Sequence, residues 1–236
     1  MISVCIATYN GEKLIGEQLA SILPQLGEED EVIISDDHSS DGTLDVVRSM
    51  NSPIVRIVEG PCTGSLISNF ENALKEAKGD YIFLSDQDDK WEPNKVEVMM
   101  HALQKSDCVV SDCYVTDGDW KVTSESFYAL NRTKTGKFYN LLLKNGYLGC
   151  CMAMRRNVVE RSLPFPKDIP MHDIWIGNIA AFHFRVAFVP ERLIYFRRHD
   201  SNASVTARKS TFSLMEKLRF RWVVLKWLLK GNQKLS

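Results

Sequence analysis

The chain has no run of 18 apolar residues, so no segment of it reads as a bilayer-spanning helix. Nor does it contain a Cys-x-x-Cys pair. Its six cysteines lie at 5, 62, 108, 113, 150 and 151, and the adjacent Cys150 and Cys151 cannot form an ordinary disulfide without strain. The first apolar stretch, ISVCIATYN, is too short and too polar at its end for a targeting segment and reads as a strand. Together these features favour a reducing cytoplasm, with the cysteines as core fillers. A strong net charge is missing too, since the formal total is −1. That balance hides an asymmetry. From Arg208 onward eight Lys or Arg face a single acid, Glu216, for +7, and the preceding residues carry −8. An acidic body is not the profile of a nucleic-acid binder, whereas a basic tail suits an anionic membrane surface. The chain also lacks G-x-x-x-x-G-K-[ST], and has no G-x-G-x-x-G after its first strand, so the P-loop and Rossmann dinucleotide fingerprints are absent.

What is present is an alternation of apolar strands and amphipathic helices. ISVCIAT reads as a buried strand, and Leu14, Ile15, Gln18, Leu19, Ile22 and Leu23 then recur at helical spacing. EVIISDD, IVRIVE, DYIFLSD and DCVVSDCYV continue the strand series. Helices are expected between them, one capped by Ser39 or Ser40, one closed by Gly79 and one with Pro93 in its first turn. Unbroken apolar strands alternating with helices imply an α/β fold with a mostly parallel, Rossmann-like sheet covered by helices on both faces. Ligands of such sheets bind at the carboxyl ends of the strands, where Thr8, Asp36, Asp37, Asp86 and Asp88 all fall. The second half is less regular, with a helix expected after MHD and two short strands within FRVAFVPERLIYFRRH.

FLSDQDDKW places three carboxylates within four positions, and their mutual repulsion asks for a positive partner. A solvated turn is one reading. An EF-hand starting at Asp86 fails, because Trp91 stands where Gly is needed and Lys90 where an oxygen ligand is needed; one starting at Asp37 ends on Arg48 instead of Glu. A D-x-D after a buried strand remains, a common way to hold Mg²⁺ or Mn²⁺ together with substrate phosphates. His101 and His183 read as surface residues and His38 as part of a turn.

VCIATYNGEKLIGEQLASIL, ISDDHSSDGT, GDYIFLSDQDD, MHDIW and YFRRHDSN, in that order, resemble the family 2 glycosyltransferases, nearest to the rhamnosyltransferase-like branch that builds bacterial surface polysaccharides. The likeness covers about residues 1 to 205. It implies a GT-A fold, a nucleotide-diphosphate sugar donor such as dTDP-rhamnose or a UDP-sugar, a Mg²⁺ or Mn²⁺ ion, and inversion at the anomeric carbon. By the same resemblance Thr8 and Asp37 match positions that hold base and ribose, and Asn69 matches one lining the donor pocket. Asp86 would meet ribose or metal, Asp88 is the principal metal ligand, and His199 reaches metal or diphosphate. Asp173 matches the catalytic base, a role that coexists with capping its helix. The loop GPCTG departs from the pattern at Pro61 and Cys62.

The expected organisation is a catalytic domain over 1–206, with a nucleotide-sugar half (1–115) and an acceptor half (116–206), followed by a basic amphipathic helix within 207–236. In that tail Leu214, Met215, Leu218, Trp222, Leu225 and Leu229 fall on one arc of about 100°. Phe220, Val224 and Trp227 form a second patch roughly opposite, with cations between. The pattern suggests one face on the domain and one on the cytoplasmic membrane surface, which fits a lipid-linked glycan acceptor. A dimer contact or a simple core helix would also give it. Two other functions stay open on the residues alone: a sugar-phosphate nucleotidyltransferase, which would want a Gly-rich basic loop after the first strand, and a catalytically silent nucleotide-sugar binder.

Overall fold

The computed structural model describes residues 1–198 and 213–230. Strands β1 (Ile2–Thr8), β2 (Glu31–Asp36), β3 (Val55–Glu59) and β4 (Tyr81–Ser85) pair in parallel in the order β3-β2-β1-β4. Every residue of β1 and β2 is buried, as their unbroken apolar runs require. Helices α1 (Ile15–Ile22) and α2 (Thr43–Ser49) follow β1 and β2, and α3 (Leu66–Glu76) carries the chain back from β3 to β4. Because the strand order reverses direction at that point, right-handed crossovers put α3 on the face opposite α1 and α2. Thr8, Asp36 and Ser85 thereby end adjacent strands at one edge.

Beyond β4 the parallel order stops. The chain passes through β5 (Lys90–Trp91) and α4 (Lys95–Leu103) into β6 (Cys108–Thr116), which does not pair with β4. The slot between them is taken by β8 (Met152–Arg155), antiparallel to both. Outside β6, β9 (Val186–Arg197) runs parallel to it, β5 closes the order antiparallel to β9, and β7 (Val122–Ser124) pairs with β6 off this path. The sheet is therefore mixed, and the parallel expectation holds for its first four strands. One sheet draws strands from both sides of residue 116.

The two short strands expected after residue 183 are one strand of 12 residues. Its register slips from Ser111↔Val189 to Asp112↔Arg192, so Pro190, which has no N–H to give the ladder, is stepped over as a bulge. Three local expectations are corrected as well. Ser39 does not cap α2; its N–H and hydroxyl both go to Asp36, and the Asp41 carboxylate takes the Thr43 N–H at 3.0 Å. Gly79 does not close α3, which ends at an extended Ala77. A Cβ at Gly79 would stand 2.6 Å from the Ser3 backbone nitrogen, so the glycine is there for close approach to β1. Pro93 precedes the Asn94 N-cap of α4 and lies outside its first turn.

Helices α5 (Phe127–Asn131), α6 (Lys137–Leu142), α7 (Arg156–Ser162) and α8 (His172–His183) belong to the second half, and α9 (Leu214–Lys230) packs against α6 and α8. In α9, Val223 and Val224 are buried while Leu214, Met215, Leu218, Trp222 and Leu229 are exposed. No helix among the described residues is long and apolar enough to cross a membrane.

Candidate active site

The nucleotide side of the sheet edge is built from β1 and β2. Thr8 Oγ1, buried at the end of β1, donates to Asp36 Oδ1 at 3.0 Å, and Asn69 reaches from α3 to donate to the Thr8 carbonyl at 3.1 Å. The other end of that amide accepts from Ser35 Oγ at 2.6 Å. Asn69 thus ties the ends of β1 and β2 together. The Asp37 carboxylate accepts the backbone N–H groups of Thr63 and Gly64, at 3.3 and 2.8 Å, and so holds the GPCTG loop against the strand ends. Gln87 staples the acidic loop to the β1 turn through both its amide atoms, which bond the N–H and carbonyl of Tyr9 at 3.0 and 3.1 Å.

The acidic loop after β4 is held from below. Asp89 is 1% exposed; its Oδ1 accepts the Arg197 N–H at 3.0 Å, while Oδ2 is buried and takes no hydrogen bond of good geometry among the described residues. Arg197 is itself fixed by an ion pair with Glu17 and by Trp120, whose ring centre lies 3.6 Å from the guanidinium carbon. Ligand atoms of Asp86, Asp89 and Cys150 all lie within 4.8 Å of one another. Asp88 is outside this trio, but its charge is among the causes that push the Asp86 and Asp89 carboxyls up. Burial is the larger cause in both, and it takes Asp86 to about 8, with Asp173 adding to the push.

One positive charge lies under these carboxylates, and sequence reading missed it. Lys95 is fully buried; its Nζ donates to the Cys150 carbonyl at 2.7 Å and sits 3.8 Å over the Trp91 ring. Burial lowers it to about 8, opposed by Cys151, Cys150 and Asp89 nearby. It does not balance the site, since Asp86 and Asp89 both remain raised beside it. Two raised carboxyls whose ligand atoms converge with Cys150, and an Asp89 oxygen with no hydrogen bond of good geometry among the described residues, fit a divalent cation.

Asp173 enters from the second half, in the first turn of α8. It is buried, its Oδ1 accepts the Ile174 N–H at 2.6 Å, and its Oδ2 accepts the Gly149 N–H at 3.2 Å. The carboxylate therefore serves the helix start as well as facing the cluster. Burial raises it to about 6 against the pull of those N–H groups. Its neighbour His172, also missed, is stacked on Phe70 with ring centres 4.0 Å apart and both ring nitrogens buried without partners among the described residues. Burial lowers His172 to about 3, so the ring is neutral. A Cβ at Gly149 would lie 2.9 Å from His172 Nε2, which explains the glycine.

Of the sequence-derived residues, Thr8, Asp37 and Asn69 gather at the β1–β2 edge, and Asp86, Asp88 and Asp173 meet beside it. His199 lies outside the described residues. Among the other histidines, His38 pairs with Glu59 at 3.3 Å and His183 with Arg161 at 3.2 Å. All six cysteines are free, and only Cys62 is exposed.

Residues 3–163 match the family described as Glycosyl transferase family 2, and the chain belongs to that family. Among the relatives it resembles is the UDP-Glc:alpha-D-GlcNAc-diphosphoundecaprenol beta-1,3-glucosyltransferase WfgD of Escherichia coli, 26% identical over 95% of this chain and 85% of that one. Two solved structures share the fold. S. aureus TarS 1-349 in complex with UDP-GlcNAc superposes with a TM-score of 0.73 at 19% identity, covering 99% of this chain and 68% of that 1-349 chain. Glucosyl-3-phosphoglycerate synthase from Mycobacterium tuberculosis, with Mn²⁺, UDP and phosphoglyceric acid, does so at 0.61 and 19% identity, covering 98% and 78%. The fold is thus the GT-A glycosyltransferase fold, and the chain is a nucleotide-sugar-dependent transferase by family.

Proposed function

We propose that the protein is an inverting hexosyltransferase that moves a sugar from a pyrimidine nucleoside-diphosphate donor, a UDP-sugar or dTDP-rhamnose, to a hydroxyl of a lipid-linked surface glycan, with Asp173 as base. The observation that carries this reading is the Asp173 carboxylate. It is buried, aimed by two backbone N–H groups, and close enough to the acidic loop to raise Asp86. The acceptor hydroxyl attacks the anomeric carbon from the Asp173 side, its proton passes to the Asp173 carboxylate, and the bond from that carbon to the diphosphate oxygen breaks.

Asp37, with the loop it holds, and Thr8 bound the base and ribose, and Asn69 keeps the two strand ends in register beneath the donor. Asp86 and Asp88, with Asp89 behind them, are the residues that would hold Mg²⁺ or Mn²⁺, and His199, two residues past Arg197, completes the set. The ion's contribution when bound is to neutralise the diphosphate leaving group. Burial of the base raises its affinity for the acceptor proton, and the buried stack of its neighbour His172 on Phe70 keeps water from that side of α8. WfgD, by its name, uses UDP-glucose and a diphosphoundecaprenol-linked sugar, which supports a lipid-linked acceptor and work at the cytoplasmic face of the membrane.

The test is nucleoside-diphosphate release from UDP-glucose, UDP-GlcNAc and dTDP-rhamnose with Mn²⁺, by wild type and Asp173→Asn. Turnover of one donor by wild type, lowered about 10²- to 10⁴-fold in the variant, is expected for the loss of a general base. Equal turnover by both proteins would remove Asp173 from that role.

A further inference from the structure

Two apolar stripes lie exposed side by side on the second half of the molecule. On α9, Leu218, Trp222 and Leu229 point outward, and Trp222 is 63% and Leu229 77% exposed. They lie opposite Val223 and Val224, the face that packs on the domain. On α6, Phe138 is 61% exposed, and Leu142 and Leu143 extend the same surface one turn on. Arg221 donates from α9 to the Leu143 carbonyl, which joins the two stripes edge to edge. Exposed apolar surface of this extent marks a contact to be made.

Its borders are cationic on both sides. Lys137 and Lys144 flank the α6 stripe, and the exposed Arg219 and Lys230 flank that of α9. The single acid in α9, Glu216, is turned back onto the N–H and hydroxyl of Ser213. A second copy of this chain docking through the same patch would bring like-charged borders together. An anionic surface has no such conflict. The far end of α9 is fixed to the loop that leads into the catalytic side of α8: Trp227 Nε1 donates to Asp168 Oδ1 at 2.7 Å, and Lys226 lies 3.7 Å from the same carboxylate. Asp168 is five residues before Asp173.

We infer that the joined outer faces of α6 and α9 form a docking surface for an anionic lipid bilayer, with Trp222, Leu218 and Phe138 entering the interface and the flanking cations meeting the headgroups. The inference extends the lipid-linked acceptor reading, but it rests on this surface alone. It holds the loop before the base on the inner side of α9, about one helix diameter from the bilayer in which a lipid-linked acceptor is confined.

The test is flotation of the full chain with vesicles of phosphatidylcholine alone or mixed with phosphatidylglycerol, alongside UDP-glucose hydrolysis. Wild type is expected to float with the mixed vesicles and to show a blue shift of tryptophan emission that Trp222→Ser removes. Leu218→Ser/Trp222→Ser and, separately, Phe138→Ser/Leu143→Ser are each expected to reduce the bound fraction about tenfold, with hydrolysis unchanged, since none of these side chains lies at the acid cluster. Flotation that neither variant weakens, or no flotation with anionic vesicles, overturns the inference. So does a solution dimer that Leu218→Ser/Trp222→Ser dissociates in a protein that ignores vesicles. Flotation as expected in a protein that hydrolyses no donor supports the surface and counts against the transferase chemistry instead.

Discussion

Lys95 Nζ donates to the Cys150 carbonyl at 2.7 Å across 55 residues of sequence, directly beneath the acidic loop. This contact joins the two halves of the site, because α4 follows the acidic loop and Cys150 is one residue from Gly149, whose N–H aims Asp173. It also places a buried positive charge beside the carboxylates of the acidic loop.

Lys95 is lowered from 10.5 to about 8 by burial, so the folded state binds its proton less tightly than the unfolded chain does. The cost is fully present below pH 8 and is relieved as pH rises from 8 to 10.5. A shift of this size corresponds to about 3 kcal/mol. Lys95→Met, which keeps the volume and removes the charge, should be at least as stable as wild type at pH 7. The gap between the two proteins should close or reverse as pH rises towards 10.5. Parallel urea titrations at pH 7 and 10 measure this, and a gap independent of pH would contradict it.

His172 is held neutral by burial, with its pKa lowered from 6.5 to about 3. The unfolded chain takes up that proton first, so stability falls as pH drops below 6.5 and continues to fall towards 3. His172→Phe keeps the stack on Phe70 and removes the titration. The variant should gain on wild type by about 1.4 kcal/mol per pH unit within that window, read as the difference between their denaturant midpoints at pH 6.5 and 5. Equal acid sensitivity would place the neutral ring elsewhere.

Asp173, raised to about 6, must be ionised to accept a proton, so turnover should climb as pH rises through 6 and level off above it. Asp173→Glu lengthens the reach by one carbon and gives up the fixed bonds to Ile174 and Gly149, and it should lose about 10²-fold in kcat with donor KM nearly kept. A flat kcat between pH 5 and 8 would exclude this carboxylate as the group that titrates.

The first four strands were legible because β1 and β2 are buried along their whole length and show it as unbroken apolar runs. The place of β8 was not, since Met152–Arg155 is four residues long and its partners lie far away in sequence. The segment α9 was legible as a helix; within it Val223 and Val224 are buried, while Trp222 and Leu229 are exposed. At the site, the crowding of Asp86, Asp88 and Asp89 was plain in FLSDQDDKW. Lys95 could not be separated from an ordinary helix-surface lysine, because only tertiary packing buries it. Nor could the sequence show that Asn69 spends both ends of its amide on Ser35 and Thr8, or that Asp89 and Cys150 join Asp86. Five motifs in order carried the family where no single residue did.

The central claim is that a nucleoside diphosphate and a divalent cation meet at the acidic loop. Its most direct measurement is the melting temperature with UDP, dTDP or GDP, each with Mn²⁺ and with chelator, for wild type and Asp88→Asn. Without ligand the variant should melt no lower than wild type, since the substitution removes charge that raises Asp86 and Asp89. The account predicts that UDP or dTDP raises the wild-type melting temperature only when Mn²⁺ is present, and that Asp88→Asn loses the rise. No rise with any nucleotide, or one of equal size in the variant and with chelator, would contradict it.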